Sequence, residues 1–549
     1  MSDDTSDESI EPPKVPESRP YHYETKEGYG YNPADRNYKP DGKKSNMYSD
    51  GVGMQYAPKG SPEPGADEQT SRQHTKRSAR RYNIFGATEH GFNKPGMEDL
   101  KQQYMMAKTA KQPNTYREEY RGRPRAMSSV PDLCIDKGSV TLTDIVTASY
   151  RIRDGTIKTP CEKAVSFPGI QDYDVYFKRE YLQVFGSYKA RGALNALLTL
   201  SEEQLRRGVM TTSTGSHALA VAGHGKELGV PVTILVPENV PPRKVKICDR
   251  YGAKTRFAGQ NDREVQETAR KIETEAEGLT FIDENESSYV ISGHGTVGLE
   301  IIDQVDDIDA IIIPVGGGGL LAGICVVFKA LNPDIKIIVV ESNDCPSFQA
   351  ALDAGEPVTL KTELAVTLAD GLSDSKVGDL PFKLVKDCVD KVVAVKEQHI
   401  AQAVLRLLEK ERVIVEGSGA AGLAAIIGGY LPELKGKRVV IPLCGGNIDP
   451  TVLGRAIERG LTADERMVRF HIRINDRPGA LARLTSLLSS TGVSIKDLYQ
   501  ERTWLNSSMF TVQVKCVAEL RNAEHVKQLK KVLHKNYKDD LIWNIKSDE

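Results

Sequence analysis

At 549 residues the chain is too long for one hydrophobic core, so two or three domains plus unstructured sequence are expected. Its 73 Lys and Arg against 75 Asp and Glu exclude the strong charge excess that would ask for nucleic acid or an acidic membrane as partner. Eight single cysteines (Cys134, Cys161, Cys248, Cys325, Cys345, Cys388, Cys444, Cys516), with no C-x-x-C pair, exclude a disulfide framework and a metal-like cluster. No apolar run reaches the roughly 18 residues of a membrane helix. The start, Met1-Ser2-Asp3-Asp4, is too acidic for a secretory or mitochondrial leader, and a cytoplasmic protein is expected.

Residues 1–130 are rich in Pro, Gly, Ser, Asp and Lys and poor in Ile, Leu and Val, so burial there cannot offset the entropy of ordering. A disordered extension is the expectation. It repeats tyrosine (Tyr21, Tyr23, Tyr29, Tyr31, Tyr38, Tyr48, Tyr56) and carries a basic cluster at Arg72, Lys76, Arg77, Arg80 and Arg81. A phosphorylatable tail or a localisation signal is one reading; a solvated linker explains the same composition and is favoured.

From about Thr141 to Arg459, short β-branched runs alternate with amphipathic helical patterns, the signature of a mostly parallel sheet covered on both faces. Within it Val184-Phe185-Gly186-Ser187-Tyr188-Lys189-Ala190-Arg191-Gly192-Ala193 opens a helical pattern continued by Leu194, Leu197 and Leu198. The neighbours of Lys189 read as buried. Desolvation lowers a lysine pKa, which suits Schiff-base chemistry with an aldehyde cofactor. Taken alone, a snorkelling lysine at a helix start is the better account.

Three later runs share one grammar. Val209 to Thr212 leads into Ser213-Thr214-Gly215-Ser216-His217 and a helix-like stretch from Ala218 to Leu228. Ile311 to Val315 leads into Gly316-Gly317-Gly318-Gly319-Leu320 and a helix through Leu331, and Val439 to Leu443 ends at Cys444-Gly445-Gly446-Asn447. Each is an apolar strand emptying into a small, polar or glycine-rich turn, where open α/β sheets bind their ligands.

After Met467 the pattern changes. Val468, Phe470, Ile472 and Ile474 alternate with Arg469, His471 and Arg473 as in a half-buried strand, and Asp476-Arg477-Pro478-Gly479 precedes a helix face of Leu481, Leu484, Leu487 and Leu488. Phe510, Val512, Val514 and Cys516 alternate again, Val526, Leu529 and Val532 form a second helical stripe, and Ile542 and Ile545 suggest a last strand. A ferredoxin-like βαββαβ module is expected as a separate domain.

Four glycines between a buried strand and a helix let backbone N–H groups approach an anion, with the helix dipole adding to the attraction. The spacing matches neither the nucleoside-triphosphate loop nor the dinucleotide fingerprint, which leaves one phosphate on a small cofactor as the better reading.

With Lys189 upstream, the motifs Gly186 to Ala193, Ser213 to His217, Gly316 to Leu320, Thr367-Leu368-Ala369-Asp370-Gly371-Leu372 and Cys444 to Asn447 resemble the serine/threonine dehydratases, or threonine ammonia-lyases. The resemblance runs from about Thr141 to Glu458. The segment after Met467, with Asp476-Arg477-Pro478-Gly479-Ala480-Leu481, resembles an ACT domain. It implies a tryptophan-synthase-β-like pyridoxal-phosphate fold of two open α/β subdomains at 135–460, an ACT-like regulatory domain at 467–546, and a homo-oligomer.

The resemblance also implies roles. Lys189 holds pyridoxal 5'-phosphate and, once displaced, removes the substrate α-proton. Gly316, Gly317, Gly318, Gly319 and Leu320 take the phosphate, Cys444 meets the pyridine nitrogen as a neutral thiol, and Ser213, Thr214, Gly215 and His217 receive the substrate. Ser216 stands where the family commonly has an asparagine on the ring hydroxyl, Phe185 where it often has Thr, and Tyr181 where it often has Asp. Thr214 stands where related serine racemases carry a hydroxyl base. The reaction implied is deamination of L-threonine or L-serine, with an amino-acid effector or simple dimerisation at the ACT-like module; a serine or aspartate racemase, or an amino-acid sensor without turnover, stays open. Glu341, Cys345 and Ser347 lie where the family can bind a divalent cation, but Ser347 is no acid and no metal is assigned. His217, His224 and His294 read as hydrogen-bonded structural residues rather than catalysts.

Overall fold

The computed structural model describes residues 138–240, 249–274, 278–361, 367–505 and 507–543. The expected disordered extension with its tyrosines and basic cluster, Cys134, Cys248 and Ile545 lie outside the described residues.

Among the described residues, ten strands precede residue 450: β1 (Cys161–Lys163), β2 (Asp174–Lys178), β3 (Val209–Thr211), β4 (Val232–Val236), β5 (Lys254–Phe257), β6 (Thr280–Phe281), β7 (Ala310–Pro314), β8 (Lys336–Ser342), β9 (Lys391–Val395) and β10 (Arg438–Pro442). They form a six-stranded sheet in the order β1-β2-β10-β7-β8-β9 and a four-stranded sheet in the order β5-β4-β3-β6. Every pairing is parallel except β1 with β2.

Parallel strands covered on both faces read as continuous apolar runs, because neither face meets water. In β7, Ile311 and Ile313 join the core under the helices Ser288–Gln304 and Gly319–Leu331, while Ala310 and Ile312 join the opposite core under the helix Gly417–Ile427. The smaller sheet repeats the plan: Val209, Val232 and Ile234 pack with the helices Lys189–Leu198 and Ser216–Leu228, and Met210 and Leu235 pack with Val265 and Ala269 of the helix Asp262–Thr274. This layering brings the turns that follow β3, β6, β7 and β10 into one region.

The helix Pro450–Ala463 leads into a second architecture: β11 (Met467–Asn475), β12 (Ser494–Glu501), β13 (Thr511–Glu519) and β14 (Leu541–Trp543) in the antiparallel order β12-β13-β11-β14. One face is covered by the helices Ala480–Ser490 and Ala523–Tyr537, with Phe470, Ile472, Leu484, Val514, Leu529 and Leu533 in the core. Arg469 and Arg473 stay exposed on the other face, as the alternation requires. Two details differ from the sequence reading. Phe510 precedes β13 and is 73% exposed, and β12 has no apolar alternation that would have located it.

Candidate active site

The turn before Lys189 is unusual backbone. Phe185 (φ 59°) and Gly186 (φ 72°) are both left-handed, a conformation that costs a side-chain-bearing residue about 1–2 kcal/mol. The Phe185 ring offsets this by packing edge-on to His224 and Tyr251, with centroids 4.7 and 5.4 Å away. Asn447 closes the turn, donating from Nδ2 to Phe185 O (2.9 Å) and to Ser216 Oγ (3.0 Å). At Gly186 a Cβ would come within 2.6 Å of Asn447 Oδ1, so this position needs glycine for space as well as for its φ.

Lys189 is the first residue of its helix, and Tyr188 N donates to Cys444 O (3.1 Å), which pins the helix start to the end of β10. Two residues on, the fully buried Arg191 donates to Glu180 (2.8 and 2.9 Å) and Glu300 (2.7 and 2.9 Å), and Lys178 joins Glu300 at 2.5 Å. Such paired, forked contacts fix the helix against β2 and the helix Ser288–Gln304.

Opposite the lysine lie Gly316 to Gly319, between β7 and a 13-residue helix that starts at Gly319. Gly318 is left-handed (φ 93°). A Cβ on Gly316 would stand 2.5 Å from Gly371 O and 2.8 Å from Asp374 Oδ2, and one on Gly317 would stand 2.1 Å from the Asn285 amide nitrogen. His294, packed edge-on to Tyr188 at 4.8 Å, is buried with neither ring nitrogen hydrogen-bonded, and His217 has an unbonded buried Nδ1. Burial pushes the His294 imidazole down to about 3, so it is neutral at physiological pH. A cradle that only glycine backbone leaves open, a helix N-terminus and unbonded buried ring nitrogens fit a small phosphorylated group.

The electrostatics correct one expectation. Burial by itself would lower the Lys189 pKa, but Glu284 forms an ion pair with Lys189 Nζ and the net result is a lysine held above its ordinary value. Burial opposes ionisation of Glu284 too, yet the Lys189 charge, His217 and a hydrogen bond from Ser213 bring it down to about 2. Burial pushes the Cys444 thiol well up, so it is neutral, and Sγ donates to Pro442 O at 3.5 Å. Burial also raises Glu416, whose Oε1 accepts from Ser418 Oγ at 2.9 Å.

Lys189, Gly316 to Leu320 and Cys444 thus line one pocket, with Tyr188, Glu284, Asn285, His294, Asp374 and Glu416, and Gly371 and Leu372 of the Thr367 to Leu372 stretch join them. The Ser213 to His217 turn meets this pocket through the Ser213–Glu284 hydrogen bond. Thr214 is half-buried and Gly215 exposed, while His217 turns its Nε2 to Ile282 O (3.3 Å). The hydrogen-bonded reading of the histidines therefore holds for His217 and for His224, whose Nδ1 meets Glu227, and fails for His294. Ser216 is held by Asn447. Glu341, with both oxygens, accepts from Phe348 N (2.5 Å) and Gln349 N (3.0 Å) at the start of the helix Ser347–Ala354.

Sequence reasoning missed Glu284, Asn285, Asp374, Glu416 and the part played by His294. One signal was there: Asp283-Glu284-Asn285 follows the short apolar run Thr280-Phe281-Ile282, the same strand-to-polar-turn grammar as the three runs noted above.

Residues 152–445, more than half of the chain, match the family model described as pyridoxal-phosphate dependent enzyme, and residues 468–534 match the ACT domain. The chain belongs to the pyridoxal-phosphate-dependent enzymes and carries an ACT domain behind the catalytic one. It is 36% identical over 394 residues to an L-threonine ammonia-lyase of Thermotoga maritima, covering 72% of this chain and 97% of the relative. Among solved structures it resembles serine racemase from Dictyostelium discoideum (37% identity, TM-score 0.52, 56% of this chain and 99% of that one). The processed form of threonine deaminase isoform 2 from Solanum lycopersicum is also similar (34% identity, TM-score 0.54, 58% of this chain and 86% of that one).

Proposed function

We propose that this chain is an L-threonine ammonia-lyase that also accepts L-serine, releasing 2-oxobutyrate or pyruvate and ammonium. The observation that carries the reading is that Lys189, the glycine cradle and a neutral Cys444 line one pocket. Bound pyridoxal phosphate supplies an electron sink for the pair left when the α-proton departs. The N–H groups of Gly316 to Leu320 would hold its phosphate, and the Asn285 amide lines the same pocket. The turn Ser213 to His217, at the N-terminus of a 13-residue helix, takes the substrate carboxylate. Lys189 Nζ removes the α-proton. With its neutral thiol, Cys444 would meet the cofactor's ring nitrogen without holding it protonated, which would favour elimination of the β-hydroxyl over transamination. The released enamine tautomerises and is hydrolysed by water to the 2-oxo acid and ammonium.

Residues 135–460 form the catalytic domain and 467–546 the regulatory one, with an amino-acid effector at the latter, in a cytoplasmic homo-oligomer. Among the described residues no helix is long and apolar enough to cross a membrane.

The test is the visible absorption of the purified protein followed by 2-oxo acid assay with L-threonine, on wild type and Lys189→Ala. A cofactor band and 2-oxobutyrate from wild type, both lost in the variant, are expected. A band without product from either amino acid would sink the lyase reading. Chiral analysis of the serine left in the assay then decides racemisation, which the Thr214 hydroxyl and the likeness to a serine racemase favour as second reading.

A further inference from the structure

The Lys189 amine has two claimants. In the structure it is ion-paired with Glu284, which enters from the turn after β6 and is itself bonded by Ser213. The family's cofactor must form its bond at the same nitrogen. We propose that Glu284 is a restraining counter-ion of Lys189, competing with the cofactor aldehyde for the Lys189 amine.

The chemistry fixes the direction. To capture an aldehyde the nitrogen needs its lone pair: an ammonium gives up a proton, the C–N bond forms, and the aldehyde oxygen leaves as water with two protons from nitrogen. An amine locked as ammonium by a neighbouring carboxylate is not a nucleophile. Other groups face the same nitrogen or the pair. Tyr188 precedes it; His217 faces it from the helix Ser216–Leu228, His294 from the helix Ser288–Gln304, Asp374 from the turn after Gly371, and Cys444 and Glu416 from the end of β10 and the start of the helix Gly417–Ile427. The tyrosine, thiol and both imidazoles are neutral near pH 7, because burial disfavours their charged forms. Glu284 lies within ion-pair distance of Nζ, and Asp374 also favours the charged lysine. Without Glu284, the largest charge opposing burial at Lys189 is gone and Asp374 remains as a nearby carboxylate, so the Lys189 pKa falls and a larger share is neutral at any pH near 8.

The proposal rests on the family's use of pyridoxal phosphate at Lys189, and its test reads that bond without substrate. Full-length protein is stripped of cofactor by dialysis against L-cysteine and mixed with pyridoxal phosphate at pH 6 to 9. Capture is followed by absorbance and by borohydride trapping of the lysine-linked product in a peptide map. In wild type the rate should rise about tenfold per pH unit, as the neutral fraction of a high-pKa amine does. Glu284→Gln should be at least about tenfold faster at pH 8 and level off at lower pH; Glu284→Asp, which keeps the charge, should retain the steep profile. Equal or slower capture by Glu284→Gln overturns the proposal. So does a wild-type rate flat in pH, since Glu284 would then take the proton and assist capture; this arm stands even if the glutamine variant fails to fold. No trapped product at Lys189 in any variant would overturn the cofactor assignment, and the proposal with it.

Discussion

Gly317 shows how far single atoms decide this site. Its Cα lies against the Asn285 amide, where a Cβ would stand 2.1 Å from Nδ2, and Asn285 is held by a turn that also carries Glu284. Gly317→Ala must therefore push Asn285 out of the cradle. We expect cofactor affinity to fall at least tenfold, about 1.4 kcal/mol, measured by titrating pyridoxal phosphate into stripped protein, with little change in melting temperature of the stripped form. Lys189 and Cys444 were singled out in the sequence by motifs that resemble one family, and the glycine run also by the room its backbone leaves for an anion. Glu284 was not, because its meaning comes from a lysine 95 positions earlier that only the packing of β6 against β3 brings near.

At the scale of elements, the helix that carries Lys189 is fixed by charge as well as by apolar contact. Arg191 is 1% exposed and shared between Glu180 and Glu300. Arg191→Ala leaves both carboxylates and Lys178 in a cluster with the wrong charge balance, and a loss of about 3–5 kcal/mol is expected from urea unfolding monitored by circular dichroism. Arg191→Lys should recover only part of it, since one ammonium cannot reproduce the fork. A second element-level effect is a pH dependence. Burial raises Glu341 from 4.5 to about 7, against the lowering effect of its two backbone hydrogen bonds. The folded state then binds more protons than the unfolded between those values, so this group costs stability progressively as pH rises from about 4.5 to about 7. Relative to wild type, Glu341→Gln should therefore gain about 1–3 kcal/mol between pH 5 and pH 8, read from paired melting curves. The sequence placed most elements here because buried parallel strands and amphipathic helices have distinct periods. It missed β12, where Ile495 and Tyr499 are exposed and no alternation marks the strand.

On the scale of the whole molecule, the ACT domain is joined to the catalytic domain through the helix Pro450–Ala463, by an ion pair between Lys496 and Glu458 and by Arg466 to Glu409 at 2.7 Å. A ligand that shifted this sheet would therefore act on the helix that leaves the catalytic domain. We expect at least one of the common amino acids to change the L-threonine saturation curve. Gly479→Val should abolish that response without altering the cofactor spectrum, because Gly479 is left-handed (φ 84°) at the turn that opens the helix Ala480–Ser490. The sequence by itself determined the change from a parallel to an antiparallel architecture near Met467, which follows from local periodicity, and it singled out Lys189, the glycine run and Cys444 through motifs that resemble one family. Only the tertiary structure decided the charge on that lysine. A pKa depends on what lies within a few ångströms in space, and burial, which alone would have lowered it, is overruled by a carboxylate from another strand of the smaller sheet.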